Sequence, residues 1–189
     1  MKVIGINGSP NSNGNTSSMI KAVFSSLDAK DVDCELFQLG GSAVSGCINC
    51  GFCKSSAEIK CAIDDDKINA CIEKMVEADA VIIGSPTYFS ALTTETKALI
   101  DRAGRVCRSK GLLKRKIGAA VVPARRAGSM NVFQAINNFF LIQEMIIPGS
   151  TYWNVSLSAA PGDFEADTEG NKIMSDLGDN IAWLLNKIS

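Results

Sequence analysis

Apolar and polar positions follow two different periods along the chain, and the switches between them mark five strand-helix units. Lys2 to Asn7 is a short apolar run that stops at Gly8-Ser9-Pro10; Met19, Ile20, Val23, Phe24 and Leu27 then recur at helical spacing between Thr16 and Leu27. Val32 to Leu39 alternates and ends at Gly40-Gly41, which predicts a second strand. Asp64, Asp65 and Asp66 precede the helical series Ile68, Cys71, Ile72, Met75 and Val76, and acidic residues suit a helix N-terminus. Ala80 to Gly84 and Ile117 to Val122 are continuously apolar, as strands covered on both faces should be. Leu92 to Val106 returns to the helical period, and so do Val132, Ala135, Ile136, Phe139 and Phe140. A fifth strand is predicted over Thr151 to Leu157, and Ile173, Leu177, Ile181, Leu184, Leu185 and Ile188 mark a last amphipathic helix.

Regular alternation of strand and helix predicts an α/β fold: a doubly wound, five-stranded parallel sheet with helices on both faces, in a single domain over residues 1–189. Such sheets bind ligands beyond the carboxyl ends of their strands, so the chemistry is expected in the loops that follow them. The stretch 40–63 is too long for an ordinary connection and reads as a functional insertion after the second strand.

Composition narrows the chemistry. Histidine is absent, which removes Ser-His-Asp and Cys-His catalysis, imidazole ligands and imidazole proton shuttles. Nineteen basic against twenty acidic residues leave a formal charge of −1, so no nucleic-acid or anionic-membrane footprint is expected. The opening Met-Lys-Val-Ile-Gly-Ile is too short for a signal-peptide core, and no run approaches the roughly 18 apolar residues of a membrane span. A cytoplasmic protein is therefore expected. In that compartment seven cysteines read as metal ligands, redox groups or small core residues before disulfides.

Three strand-end loops carry candidate chemistry. The first, Gly8-Ser9-Pro10-Asn11-Ser12-Asn13-Gly14-Asn15-Thr16-Ser17, brings hydroxyls, amides and backbone N–H groups to a helix N-terminus, whose partial positive charge suits a phosphate. It is neither a Walker A loop nor a G-x-G-x-x-G, and a single phosphomonoester is the better fit; the plainer alternative is a Ser/Asn-rich turn that only caps the helix. In the second, Thr87-Tyr88-Phe89 offers N–H groups and aromatic faces to a planar ring, or simply packing. The third supplies Arg125 and Arg126, which suit an anionic ring or a nucleotide phosphate, or stand as a solvated pair.

Cys47-x2-Cys50-x2-Cys53-x7-Cys61 lies inside the long insertion. Four thiolates are what a 4Fe-4S cluster needs, and the first two spacings match bacterial ferredoxins. The fourth cysteine comes after seven residues and is followed by Ala62 rather than proline, so the segment is not an inserted ferredoxin. A structural zinc site is the chemical rival, although all-cysteine zinc sites usually join two separated C-x2-C pairs; unligated or redox thiols are the third possibility. Cys34, Cys71 and Cys107 fall on strand or helix faces and read as small buried hydrophobes.

Gly8-Ser9-Pro10 with Gly14-Asn15-Thr16-Ser17, then Gly84-Ser85-Pro86-Thr87-Tyr88-Phe89 with Lys97 and Asp101-Arg102 downstream, resembles the NAD(P)H-dependent FMN reductases of the flavodoxin-like class. With the cysteine motif the resemblance narrows to the iron-sulfur flavoproteins. It implies a flavodoxin-like fold in which Ser9, Asn15, Thr16 and Ser17 hold the FMN phosphate and Pro86, Thr87, Tyr88 and Phe89 border the flavin ring. Asn11 stands where many members carry arginine, which removes one charge-assisted phosphate contact; with Asn11 in the site, either FMN binds more weakly or Arg125 or Arg126 supplies the charge. The same resemblance implies a 4Fe-4S cluster on Cys47, Cys50, Cys53 and Cys61, a homodimer or homotetramer, and electron exchange with NAD(P)H or a ferredoxin. No residue is expected as a catalytic acid, base or nucleophile. Two alternatives stay open: a cluster-free FMN reductase of quinone-like acceptors, and a non-enzymatic metal- and flavin-binding module.

Overall fold

The computed structural model describes residues 1–188. Five strands, β1 (Lys2–Asn7), β2 (Asp33–Gln38), β3 (Ala80–Gly84), β4 (Ile117–Ala124) and β5 (Val155–Leu157), form one sheet in the order β2-β1-β3-β4-β5, with every neighbouring pair parallel. This is the flavodoxin strand order, and its direction reverses at β1, which places the crevice beyond the ends of β1 and β3.

Strand period 2 divides the buried residues between two cores. Val3, Ala80, Ile82, Ile117, Ala119 and Val121 face α1 (Asn15–Asp28) and, towards the chain end, α7 (Thr168–Ile188). Ile4, Ile6, Val81, Ile83, Ala120 and Val122 face α3 (Ile68–Glu77), α4 (Thr94–Arg108) and α5 (Ser129–Ile142). The expected arrangement of helices on both faces is what forms. Two one-turn helices were not expected: α2 (Phe52–Ser55) within the cysteine segment and α6 (Asp163–Ala166) before α7.

The sheet departs from expectation at its β4-β5 edge. The strand predicted over Thr151 to Leu157 starts only at Val155, because the chain turns at Ser150, whose single hydroxyl proton is shared between the Tyr152 carbonyl at 2.5 Å and Asn154 Oδ1 at 2.6 Å. The edge beside the start of β4 is instead taken by Ile146, which exchanges backbone bonds with Lys116 and Gly118 at 2.9 Å each. β4 itself runs past Val122 through Pro123 to Ala124. Proline has no N–H to lose from a ladder, and here it pairs with the short edge strand β5.

Candidate functional site

The first loop is fixed by polar groups at the ends of β1 and β2. Asn7 Nδ2 donates to Gln38 Oε1 at 2.7 Å, and Asn7 Oδ1 accepts the Ser9 N–H at 3.1 Å. Gln38 Nε2 then donates to the Ser9 carbonyl at 2.8 Å and the Gly40 carbonyl at 2.7 Å. From the other side Thr93, the N-cap of α4, donates its hydroxyl to the Gly8 carbonyl at 2.8 Å. No side chain larger than hydrogen fits where the backbones meet: a Cβ on Gly8 would lie 2.0 Å from Thr96 Oγ1, and one on Gly40 2.3 Å from the Ser9 carbonyl. Asn7, Gln38 and Thr93 are absent from the residues that sequence reasoning selected. For Asn7 and Gln38 the signal was a polar side chain at the last position of a strand, and for Thr93 a threonine at a helix start.

The loop ends in Gly14, which caps α1 without any side chain over the first turn. The leading N–H groups of the helix are therefore left for a ligand, and their positive end suits a phosphate. Not all the polar side chains there are free. Asn15 donates to the Ala160 carbonyl at 2.8 Å and accepts the Phe164 N–H at 3.3 Å, and Ser17 Oγ donates to the Gly14 carbonyl at 2.8 Å. Asn15 thus ties the first loop to segment 158–164, while Ser9 Oγ accepts the Asn11 N–H at 3.2 Å and keeps its own proton to give.

The second loop lies alongside. Thr87 donates both its N–H (3.1 Å) and its hydroxyl (3.2 Å) to the Pro123 carbonyl, fixing the ends of β3 and β4 together. Tyr88 and Ala91 exchange backbone bonds at 3.0 and 2.9 Å, so that Phe89 (φ 48°) and Ser90 (φ 63°) form the tip of a tight turn with both residues left-handed. Asn131 Nδ2 holds that tip through Ser90 Oγ at 2.7 Å.

These loops enclose a cleft of about 220 Å³. Ser9, Asn11, Asn15, Thr16, Pro86, Thr87, Tyr88 and Arg125 all line it. Ser17 and Phe89 do not. Ser17 is buried beneath the helix turn, and the Phe89 side chain projects fully into solvent at the turn tip. Ser158, Ala159 and Pro161 supply a wall that was not expected, braced by Asp163, whose carboxylate accepts the Ala159 and Ala160 N–H groups at 2.8 and 2.7 Å. The start of α1 and the ring of Tyr88 are both among its walls, which suits an anionic group at one and a planar group at the other.

A second recess, sharing no residue with the first, is lined by Cys47, Cys50, Cys53 and Cys61 together with Lys54, Arg102 and Arg105. Left-handed Asn49 (φ 56°) and Gly51 (φ 81°) curl the chain between the first three cysteines, and the Asn49 N–H donates to Cys47 Sγ at 3.4 Å. Arg105 in turn donates to Asn49 Oδ1. The insertion is thus a thiol-lined hollow with cationic walls. The sulfurs are gathered rather than converged: its volume is about 20 Å³, and among the described residues no three His, Cys, Asp or Glu side chains form a metal-binding group. The remaining thiols differ in kind. Burial pushes Cys34 and Cys107 up to about 12, and the fully buried Cys71 is also raised; Cys34, expected in the core, is only half-buried, because it faces the edge of the sheet on β2.

Three comparisons bear on these two recesses. Residues 1–160 match the family described as NADPH-dependent FMN reductase. The chain is 36% identical over 195 residues to an iron-sulfur flavoprotein of Methanocaldococcus jannaschii, covering 100% of this chain and 99% of that protein. It is 30% identical to an iron-sulfur flavoprotein of Methanosarcina thermophila, covering 100% and 97% respectively. The structure superposes on a WrbA-like flavodoxin of Agrobacterium tumefaciens with a TM-score of 0.69, covering 100% of this chain and 98% of that one at 15% identity.

Proposed function

The chain belongs to the NADPH-dependent FMN reductase family and is an FMN-dependent oxidoreductase, and we propose that it works as an iron-sulfur flavoprotein, passing electrons between a reduced donor, FMN and a 4Fe-4S cluster. The observation that carries this reading is the gathering of all four motif cysteines, and no other cysteine, in one recess whose charged walls are Lys54, Arg102 and Arg105. Four reduced thiols with cationic neighbours are the donor set that an anionic thiolate cluster requires, and the one buried guanidinium N–H left without a partner, Arg102 Nε, lies in the same walls.

Bound FMN and a bound cluster together supply two-electron and one-electron chemistry, so the pair joins a hydride donor to single-electron traffic. The protein's part is to bind and to orient. In this reading the N–H groups of the first turn of α1, Ser9 Oγ and Thr16 hold the phosphate, while Asn11 and Arg125 reach it from the rim of the cleft. Asn15 and Ser17 set the shape of that cradle through Ala160, Phe164 and Gly14. Pro86, Thr87 and Tyr88 border the flavin ring; the backbone bonds of Thr87 and Tyr88 keep that wall rigid, which spares reorganisation when charge develops on the ring. Cys47, Cys50, Cys53 and Cys61 ligate iron, and the Asn49 N–H tunes it through Cys47. In this reading hydride transfer needs no side-chain nucleophile.

Cys47 and Cys50 are exposed, which suits electron exchange across a protein surface. The donor in this reading is NAD(P)H or a ferredoxin, the chain works as a homodimer or homotetramer, and its setting is cytoplasmic. No helix among the described residues is long and apolar enough to cross a membrane. A second reading, a cluster-free reductase of quinone-like acceptors, draws on the unconverged sulfurs.

Anaerobic purification followed by iron, acid-labile sulfide and flavin analysis separates the two. The expected result is four iron and four sulfide with one FMN per chain, and a broad absorption shoulder at roughly 400 nm beside the flavin bands. Cys50→Ala is expected to lose the iron and keep the FMN. Flavin without iron in the parent protein would establish the second reading.

A further inference from the structure

We propose that Arg102 is the positioning residue of the cysteine recess: it ties both ends of the cysteine segment to α4 and keeps its Nε–H for a cluster sulfur. The sulfur bond rests on the reading of the recess as a cluster site; the tie does not.

Arg102 occupies a core position. Leu99 and Val106, one helical turn to either side on α4, are buried apolar residues, and the helical period asks for another one between them. Instead a guanidinium with no exposed side-chain surface lies there, paired with the carboxylate of Asp66, whose side chain is 3% exposed. Charges are placed in a core only against strong local compensation. Here the compensation comes from the two ends of the cysteine segment.

Nη1 donates to the Ser45 carbonyl at 3.2 Å, and Nη2 to the Ile63 carbonyl at 2.6 Å. Ser45 is two residues before Cys47, and Ile63 is two residues after Cys61. Asp66 completes the tie by accepting the Ser45 N–H at 3.2 Å and the Ile68 N–H at 3.0 Å, at the start of α3. One ion pair therefore closes the neck of the segment that carries all four thiols, and anchors it to two helices.

Nε remains. It is buried and has no hydrogen-bond partner, although Arg102 lines the recess with the four cysteines. A buried N–H of a charged group is rarely left unpaired, and sulfur of a thiolate or of a cluster is an acceptor suited to a cation. An N–H···S bond and a fixed positive charge both favour the more electron-rich state of a cluster, so Arg102 raises its reduction potential.

The test uses the anaerobically loaded full chain in three forms: parent, Arg102→Lys, and the double variant Arg102→Met/Asp66→Asn, which leaves neither charge buried alone. Amide hydrogen exchange over residues 46–62 reads the tie, and a spectroelectrochemical titration reads the potential, with the flavin couple of the same sample as internal reference. Arg102→Lys, which keeps the charge and lacks Nε, is expected to retain iron and FMN and to show a more negative cluster potential with the flavin couple unmoved. The double variant is expected to exchange at least tenfold faster over 46–62 and to release iron while still binding FMN. Parent-like potential and parent-like exchange in the variants would overturn the proposal. A parent chain that takes up no iron overturns the cluster reading and the sulfur bond together; the exchange data then judge the tie by themselves.

Discussion

Asn7 Nδ2 lies 2.7 Å from Gln38 Oε1, so the last residues of two neighbouring parallel strands are bonded through their side chains directly beneath the phosphate loop. Each amide uses its other atoms on that loop, Asn7 on Ser9 and Gln38 on Ser9 and Gly40. The pair sets the loop's height above the sheet without facing the cleft. Asn7→Ala is expected to leave Gln38 Oε1 and the Ser9 N–H unpaired at a cost of about 1–2 kcal/mol. Part of that appears as FMN affinity lowered by up to roughly tenfold. Titration of apoprotein with FMN, followed by quenching of flavin fluorescence, measures it; unchanged affinity would show that the loop holds its shape without the pair.

The cysteines divide into two reactivity classes. Cys34 and Cys107 stand at about 12, and Cys71 is raised too, each first of all because burial disfavours the thiolate. Cys47 and Cys50 are exposed, and Cys53 and Cys61 are half-buried; Cys34 is half-buried too, but burial and the neighbouring Asp28 hold its thiol protonated. In metal-free protein at pH 8, iodoacetamide is expected to label the four motif cysteines, led by Cys47 and Cys50, and to spare the other three until denaturant is added. Peptide mass spectrometry over a time course reads the order.

Acid is expected to loosen the neck of the cysteine segment. Burial by itself would raise the Asp66 carboxyl, but the Arg102 hydrogen bond and the Ile68 and Ser45 N–H groups outweigh it and hold it below its usual value. A carboxyl depressed in the folded state contributes stability that is fully present above its unfolded value, about 3.9, and is lost as pH falls through the lower folded value. Asp66→Asn removes that dependence and leaves Arg102 buried without its counter-charge, costing about 3 kcal/mol at neutral pH. Melting curves from pH 7 to pH 3 should show a lower Tm and a flatter acid limb in the variant.

Phe89 occupies a left-handed position, with φ 48°, that a bulky side chain adopts at a cost of about 1 kcal/mol, whereas asparagine tolerates it. Phe89→Asn is therefore expected to raise Tm by about 2–4 °C. FMN affinity should stay the same, because the ring stands in solvent outside the cleft. A loss of flavin affinity in the same variant would return Phe89 to the ring wall that the family resemblance implies for it.

Periodicity made the fold legible. Alternation in Val32 to Leu39, the continuous apolar run of Ala80 to Gly84 and the helical stripe from Met19 to Leu27 are local consequences of which face meets water, and with their like they mark the five strand-helix units from the chain alone. The loops were legible too, since Ser, Asn and Gly cluster where strands stop, and so was the cysteine set, whose spacing is itself local. Only the tertiary structure decided the rest. Asn15 was expected as a phosphate ligand, and the structure shows its side chain as a strut to Ala160 and Phe164, 145 and 149 residues away. Arg102 appeared as part of a motif and proved to be the buried clasp of Ser45, Ile63 and Asp66. The edge strand shrank because a serine turn and Ile146 claimed its place. Burial periods are written residue by residue. Which distant carbonyl a buried polar group satisfies depends on where the packed helices leave it, and that is fixed only when the chain has closed on itself.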